Sequence, residues 1–96
     1  MAHICASIKA RNVISFHYDG GVRIVEPHCH GTSIAGNEVF RGYQTGGYSS
    51  SGNPIAWKMF EIAKVSGLRP TGQMFAGTRP GYNSRDKGMS AVCCCV

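Results

Sequence analysis

Two side chains suited to binding an anion stand two residues apart in the middle of the chain. Arg41 and Tyr43 belong to a run, residues 38–44, in which the side chains alternate as they do along a β-strand. Because residues two positions apart point to the same face of a strand, the guanidinium and the phenol would lie side by side. A phosphate can accept two hydrogen bonds from a guanidinium while a nucleobase stacks on the ring. The pair predicts either a site for an anionic ligand or an ordinary solvated strand face.

Four further residues extend this predicted ligand face. Lys58 stands in the next apolar run, and a segment rich in Gly and Pro near the end of the chain contributes two arginines and a tyrosine. Such a segment could fold over the sheet as a lid or clamp. The predicted ligand-binding residues are therefore Arg41, Tyr43, Lys58, Arg79, Tyr82 and Arg85.

Motifs for catalysis or metal binding are weak. The chain has five acidic residues and no nucleophile elbow, Walker loop or dinucleotide fingerprint. A nucleophilic pair of Cys5 or Cys29 with His17 is conceivable, but any Cys and His lie close together by chance in so small a chain. His28 and His30 could share a face, yet no Cys-x-x-Cys pair accompanies them. We therefore expect that the protein is not an enzyme, has no catalytic residues and binds neither a metal ion nor a cofactor.

Length and composition limit the class of protein. The 96 residues, of which 43% are hydrophobic and 16% charged, predict a single folded domain over residues 1–96. Ten Lys and Arg against five Asp and Glu give a net charge of +5, which favours an anionic partner or is simply the charge of a basic soluble protein. The start of the chain lacks a signal-peptide pattern, and no apolar run is long enough to span a bilayer. We expect a cytoplasmic protein without membrane contact.

The cysteines point to a reducing environment. There are five, an odd number, and three are adjacent at Cys93, Cys94 and Cys95. A disulfide-stabilised secreted domain normally has an even, spaced set. We therefore expect reduced thiols that pack as small apolar side chains in a closing strand.

The first part of the chain predicts a helix and a hairpin. Ile4 and Ile8 form an apolar stripe on a short helix over residues 2–9. Alternating residues at 13–18 and 22–25 flank an Asp-Gly-Gly turn, which predicts two paired strands. The predicted core consists of Ile14, Phe16, Ile24, Ile62 and Val65, packed by Ile4 and Ile8.

The rest of the chain predicts two further strands and a wrapping segment. Pro27 is expected to end the second strand, residues 38–44 to form a third and residues 89–96 to form the closing strand. Residues 56–68 fit a helix or a strand equally well. Residues 69–88, rich in Pro, Gly and Arg, are expected to wrap the outside of the sheet.

The order of these elements and several fixed residues resemble the WYL domain family, found mostly in bacterial regulators and phage-defence proteins. The matching pieces are Ile-Ser-Phe-His-Tyr at 14–18, Arg-Ile-Val-Glu-Pro-His at 23–28, Gly-Asn-Glu-Val-Phe-Arg-Gly-Tyr at 36–43 and Phe-Glu-Ile-Ala-Lys-Val at 60–65. They span a core at residues 4–68, and residues 69–96 would complete a single WYL-like domain. The name-giving segment differs, because Glu-Val-Phe stands where Trp-Tyr-Leu would be.

The resemblance implies an α+β, mainly β fold, a small Sm-like or SH3-like β-barrel with a short N-terminal helix. It favours a strand over a helix at residues 57–65. It also implies a regulatory module whose basic and aromatic face accepts a nucleic-acid strand or a nucleotide. About a dozen residues before the first strand cannot hold the helix-turn-helix that usually precedes such a domain, so we expect a standalone form.

Two functions from different classes follow. In the first, the protein is a non-enzymatic module that binds single-stranded nucleic acid or a nucleotide, including a cyclic one, and could sequester it. In the second, it is an interaction module that forms a homodimer or docks on another protein through exposed β edges, and its basic face is incidental. Binding to a polyanion would weaken steeply with salt, whereas the second function would respond little to nucleotides.

Overall fold

One helix and six strands make up the described part of the chain. The structure, a computed structural model, describes residues 2–49 and 52–96. The elements are α1 (Ala2–Ala10), β1 (Asn12–Tyr18), β2 (Gly21–Ser33), β3 (Glu38–Gly47), β4 (Ala56–Glu61), β5 (Ser66–Met74) and β6 (Met89–Cys95), with a single 3-10 turn at Ile62–Lys64. The strands form one antiparallel sheet in the order β4-β3-β2-β1-β5, and β6 pairs with β2. The predicted mainly β architecture with one short helix is confirmed.

The sheet is open. β4 and β5 lie at opposite ends of the strand order, and no pairing joins them among the described residues. The long strand β2 pairs with β1 through residues 21–25 and with β6 through residues 29–33, so one strand serves two neighbours on the same side. Closure into a barrel, which the resemblance implied, is therefore not seen.

The hairpin between β1 and β2 is confirmed. Asp19 and Gly20 have φ angles of 42° and 95°, the positive values that a two-residue turn between twisted strands needs. The second strand does not end at Pro27, contrary to the prediction. Pro27 lies between the part of β2 paired with β1 and the part paired with β6, beside a bulge in the pairing with β3. Bulges are among the few places where a sheet accepts proline.

The helix α1 covers one face of the sheet. Ile4 and Ile8, one turn apart, are fully buried, and Arg11, with φ of 56°, follows the last turn. The main hydrophobic core lies between α1 and this face of the sheet. It consists of Ile4, Ile8, Ile14, Phe16, Val25, Phe40, Phe60 and Ile62. Val25 replaces the predicted Ile24, because it is Val25 that pairs with Ile14 and shares its face.

The wrapping segment covers the opposite face and is shorter than predicted. Residues 66–74 form β5, which pairs with β1 as an edge strand, and only residues 75–88 run irregularly over the sheet. Beneath them lies a second, smaller core of Cys29, Val39 and Met89. Residues 56–61 form a strand, as the resemblance implied, but the strand ends at Glu61 and not at residue 65, because Ile62–Lys64 form the 3-10 turn.

Four of the five cysteines are paired, so the expectation of reduced thiols is wrong for them. Cys5 is bonded to Cys94 and Cys29 to Cys95, whereas Cys93 is free and exposed. The partners are 89 and 66 residues apart in sequence. The pairing of β2 with β6 sets Cys29 opposite Cys95, and the packing of α1 against the sheet brings Cys5 to Cys94. Within residues 2–49 and 52–96, no helix is long and apolar enough to cross a membrane.

Candidate functional site

A cleft opens between the sheet and the wrapping segment 75–88. Its volume is about 310 Å³, at the lower end of the range for small-molecule sites. Strands β2, β3 and β4 form one wall, and the wrapping segment forms the other. The lining residues are His28, Cys29, Arg41, Trp57, Gly81, Tyr82, Asn83, Asp86 and Lys87.

Arg41 is held in the cleft by Asp86. The Arg41 Nε and Nη2 atoms donate to the two carboxylate oxygens of Asp86 at 2.5 and 3.1 Å, and one of these oxygens also accepts the Gly88 backbone N–H at 2.8 Å. The hydrogen bond from Arg41 lowers the pKa of Asp86, so the carboxylate is charged at neutral pH. The Asp86 side chain is 11% exposed and that of Arg41 28%. The guanidinium is therefore fixed in orientation, on a side chain that is partly open to solvent.

Trp57 supplies a large aromatic wall. The indole Nε1 donates to the Pro80 carbonyl oxygen at 2.7 Å, which ties β4 to the wrapping segment. The next residue, Gly81, has a φ of 90°, and a Cβ atom at this position would lie 2.9 Å from the indole nitrogen. A glycine is therefore needed for the segment to approach the ring.

His28 is a buried, neutral support of the cleft. Its Nδ1 donates to the Glu26 carbonyl oxygen at 2.7 Å, and its Nε2 accepts the Arg79 backbone N–H at 3.3 Å. The ring stacks on Phe75 and meets Trp57 edge-on at 4.7 Å between centroids. Burial lowers the pKa of His28, which favours the neutral imidazole that these two hydrogen bonds require.

Tyr43 and Arg79 lie beside the cleft rather than in its wall. The Arg79 guanidinium stands 4.9 Å from the centre of the Tyr43 ring and makes two hydrogen bonds, of 2.7 and 2.8 Å, to the Glu26 carboxylate. Tyr43 also meets Trp57 edge-on at 5.5 Å. Arg41 and Tyr43 share one face of β3, as predicted. The Arg79 guanidinium already packs against the Tyr43 ring, however, and Tyr43 contacts the cleft mainly through Trp57.

Lys58 does not support the predicted face. It pairs with Gly42 in the register of β3 and β4, one step from the positions of Arg41 and Tyr43, so it points to the other side of the sheet. There its Nζ donates to the Ser49 hydroxyl at 2.6 Å. Burial and the nearby charge of Arg23 lower the pKa of Lys58.

Arg23 is a buried cation that the site prediction left out. It is 3% exposed and donates to the Tyr18 carbonyl and to the Gln44 side-chain oxygen at 3.2 and 3.4 Å. Its guanidinium lies 5.5 and 5.4 Å from the ring centres of Tyr18 and Tyr48. These contacts account for its burial without an anion, and Arg23 braces the hairpin end of the sheet.

The wrapping segment contributes one predicted residue to the cleft and leaves another outside. Tyr82 lines the cleft, and its hydroxyl donates to the Val96 carbonyl oxygen at 3.5 Å. Arg85 is exposed and does not line the cleft, whereas Lys87, two residues on, does. Among the described residues that line it, the cleft thus has two cations, Arg41 and Lys87, and one carboxylate, that of Asp86.

The sequence prediction missed Trp57, Asp86 and Lys87. Trp57 could have been found from strand alternation. Alternation places it on the same face as Met59 and on the opposite face from Phe60, and this is the face that pairs with Arg41 and Tyr43. Asp86 and Lys87 lie in irregular backbone, where no periodicity tells which side chains turn toward the sheet.

Comparisons with protein-family models, with curated proteins and with solved structures give no match to this chain.

Proposed function

We propose that this protein is a non-enzymatic binding module that takes a nucleotide-type ligand in the cleft. The phosphate would lie against Arg41 and Lys87, and the base against Trp57 and Tyr82. The observation that carries the proposal is the arginine held by Asp86 inside a small cleft whose neighbouring walls are aromatic.

The hydrogen bonding of Arg41 supports an anion site. A guanidinium has five N–H donors, and Asp86 takes two of them, which leaves three for a ligand. Because Asp86 already fixes the side chain, little rotamer entropy is lost when a phosphate binds. Lys87 adds a second positive charge on the same wrapping segment.

The size of the cleft favours a single nucleotide unit. About 310 Å³ is small for a cyclic dinucleotide, and a nucleic-acid strand would have to continue beyond the cleft over the surrounding sheet. A mononucleotide or the terminal unit of a strand is therefore the ligand class we favour over the longer forms.

The resemblance to WYL domains agrees with this proposal. A member of that family would use a basic and aromatic face to sense or sequester a nucleotide or a single strand, in a bacterial or phage regulatory setting. An Sm-like arrangement of the strands is part of the same proposal, as is the cytoplasmic location. In that reducing compartment the two disulfides would not persist.

A ligand-screening melt of the intact protein tests the proposal. Nucleoside mono- and triphosphates should raise the melting temperature, because a ligand that binds the native state stabilises it by mass action. Cyclic dinucleotides and short oligonucleotides serve as the longer alternatives. If none of these compounds shifts the melting temperature at millimolar concentration, the nucleotide proposal is wrong.

A second candidate function rests on the edge strand β5. Its outer edge has no strand partner among the described residues, its side chains are mostly exposed, and Met74 is 69% exposed. Such an edge can pair with a second chain, although Pro70 limits the ladder. A homodimer in sedimentation analysis that dissociates when Met74 is replaced by Lys, with no response to nucleotides, would favour this function.

A further inference from the structure

Cys5, His30 and Cys94 converge on one face of the sheet from three separate elements. The pairing of β2 with β6 sets His30 opposite Cys94, and α1 lays Cys5 over both. One sulfur from each cysteine and one ring nitrogen of the histidine all lie within 4.8 Å of one another. The other disulfide, Cys29–Cys95, occupies the neighbouring register position, whose side chains point to the opposite face.

His30 is oriented as a ligand. Its Nε2 lies 2.6 Å from the Glu38 carboxylate and donates to it, so Nδ1 is the ring nitrogen left to bind a metal ion. Nδ1 points at the Cys5 sulfur, 3.3 Å away, and the His30 side chain is 10% exposed. A sulfur in a disulfide has no hydrogen to donate. In the oxidised chain His30 Nδ1 therefore faces a sulfur that cannot donate a hydrogen bond to it.

We propose that reduction of the Cys5–Cys94 disulfide creates a binding site for a zinc-type metal ion, with Cys5 Sγ, Cys94 Sγ and His30 Nδ1 as ligands. Two thiolates and an imidazole form a donor set that zinc prefers. The ligand atoms of a tetrahedral zinc site are about 3.5–4 Å apart, so the cluster needs only a small rearrangement once the S–S bond is broken. Water would take the fourth position.

Breaking the S–S bond needs a two-electron reductant, for which a dithiol is the example. The dithiol gives two electrons and two protons to the disulfide, is itself oxidised to a disulfide, and leaves Cys5 and Cys94 as thiols. When the metal binds, each thiol loses its proton to solvent and His30 contributes the Nδ1 lone pair. The metal then joins α1 to β6 in place of the covalent bond.

This site gives the chain a second way to hold its ends together. Where thiols are kept reduced, a metal bound between the helix and the last strand would replace the clamp that the disulfide provides. Glu38 is the positioning residue, since its hydrogen bond to Nε2 selects the tautomer that can bind metal. From the sequence we expected no metal, because no Cys-x-x-Cys pair accompanies His28 and His30. The ligands proposed here are far apart along the chain and carry no spacing motif.

The test is a titration of the full-length chain with Co²⁺, before and after reduction with a phosphine in the absence of oxygen. We expect the reduced chain to bind one Co²⁺, seen by native mass spectrometry, with a thiolate-to-cobalt charge-transfer band that Zn²⁺ removes. The oxidised chain should bind none at this site. This comparison needs no mutation, so it stands even if a variant fails to fold.

Two matched double variants locate the site. Cys5→Ser with Cys94→Ser should abolish the charge-transfer band, whereas Cys29→Ser with Cys95→Ser removes the same number of thiols and should keep it. Glu38→Gln should weaken Co²⁺ affinity roughly 10- to 100-fold, the usual effect of losing the partner of a ligating histidine, with the charge-transfer band retained at saturation. The proposal is overturned if the reduced chain binds no stoichiometric Co²⁺, or if the Cys5 and Cys94 variant binds it as the wild type does.

Discussion

Arg41 combines an internal partner with donors that remain open to a ligand. Removing the side chain should weaken nucleotide binding by about 1.5–3 kcal/mol, or roughly 10- to 150-fold in Kd, the scale of a charged hydrogen bond. Isothermal titration of Arg41→Ala measures this loss. Arg69→Ala, which removes an equal charge from β5, should bind as the wild type does.

Arg41→Ala also leaves the Asp86 carboxylate without its partner, and this negative charge would repel a phosphate. The double variant Arg41→Ala with Asp86→Ala separates the two effects, because it lacks both charges. If the double variant recovers wild-type affinity, Arg41 does not contact the ligand and serves only to neutralise Asp86.

His28 makes stability depend on pH near neutrality. Its folded pKa is lowered by burial, whereas the unfolded value is about 6.5. The contribution of His28 to the free energy of unfolding is complete above about pH 6.5. It is lost as the pH falls from there through the folded pKa, because in this range the unfolded chain binds the proton more readily than the folded one. The free energy of unfolding should fall by at most about 1.4 kcal/mol per pH unit from this group.

Chemical denaturation between pH 8 and pH 5 measures this dependence. His28→Phe should flatten the slope below pH 6.5 even if it lowers stability overall. His17→Gln, which removes an exposed histidine of β1, should keep the slope. An unchanged slope in His28→Phe would show that another group is responsible.

The residues that sequence could predict are those governed by local rules. Alternation along β3 correctly placed Arg41 and Tyr43 on one face. It could not show that Arg79 covers the Tyr43 ring, nor that Asp86 holds Arg41, because both partners lie in irregular backbone about 40 residues away. Lys58 was misplaced because the residues themselves left 56–68 open between a helix and a strand. Even the strand that the resemblance favoured has no defined phase relative to β3.

At the scale of elements, the disulfides attach β6 to the rest of the fold. They join Cys94 to α1 and Cys95 to β2, with sequence separations of 89 and 66 residues. Cross-links over such long loops restrict the unfolded chain strongly, and losing one typically costs about 2–5 kcal/mol. Replacing Cys29 and Cys95 together by Ser should lower the free energy of unfolding by an amount in that range.

Denaturant unfolding of the oxidised chain, with metal excluded, checks this value. Cys93→Ser is the matched control, because Cys93 lies on the same strand but is free and exposed, and it should change the unfolding free energy by less than about 0.5 kcal/mol. If Cys93→Ser destabilises as much as the double variant does, Cys93 takes part in the cross-linking.

The elements that the sequence could predict are those specified by one local feature, either a turn motif or an apolar stripe. The Asp19-Gly20 turn and the Ile4–Ile8 stripe gave the hairpin and the helix correctly. β5 was not recognised, because its Gly and Pro residues read as a loop, and only pairing with β1 makes it a strand. The disulfides escaped prediction for the same reason, since the pairing of β2 with β6 and the packing of α1 on the sheet are properties of the whole fold.

At the scale of the whole molecule, the two covered faces of the sheet divide the functions we propose. α1 covers the face with the main core and the Cys5, His30 and Cys94 cluster, whereas the wrapping segment covers the face with the cleft. Because the two sites lie on opposite sides of the sheet, failure of one proposal leaves the other intact.

The most direct test of the central claim uses Trp57, the only tryptophan in the chain and part of the cleft wall. Its fluorescence is followed while the protein is titrated with a nucleoside monophosphate, the corresponding nucleoside and inorganic phosphate. We predict a saturable one-to-one change with the nucleotide, at an affinity at least about tenfold higher than with either half alone, because the cleft contacts both phosphate and base. Nucleotides that leave the Trp57 fluorescence unchanged and show no heat of binding would contradict the assignment of the cleft as a nucleotide site.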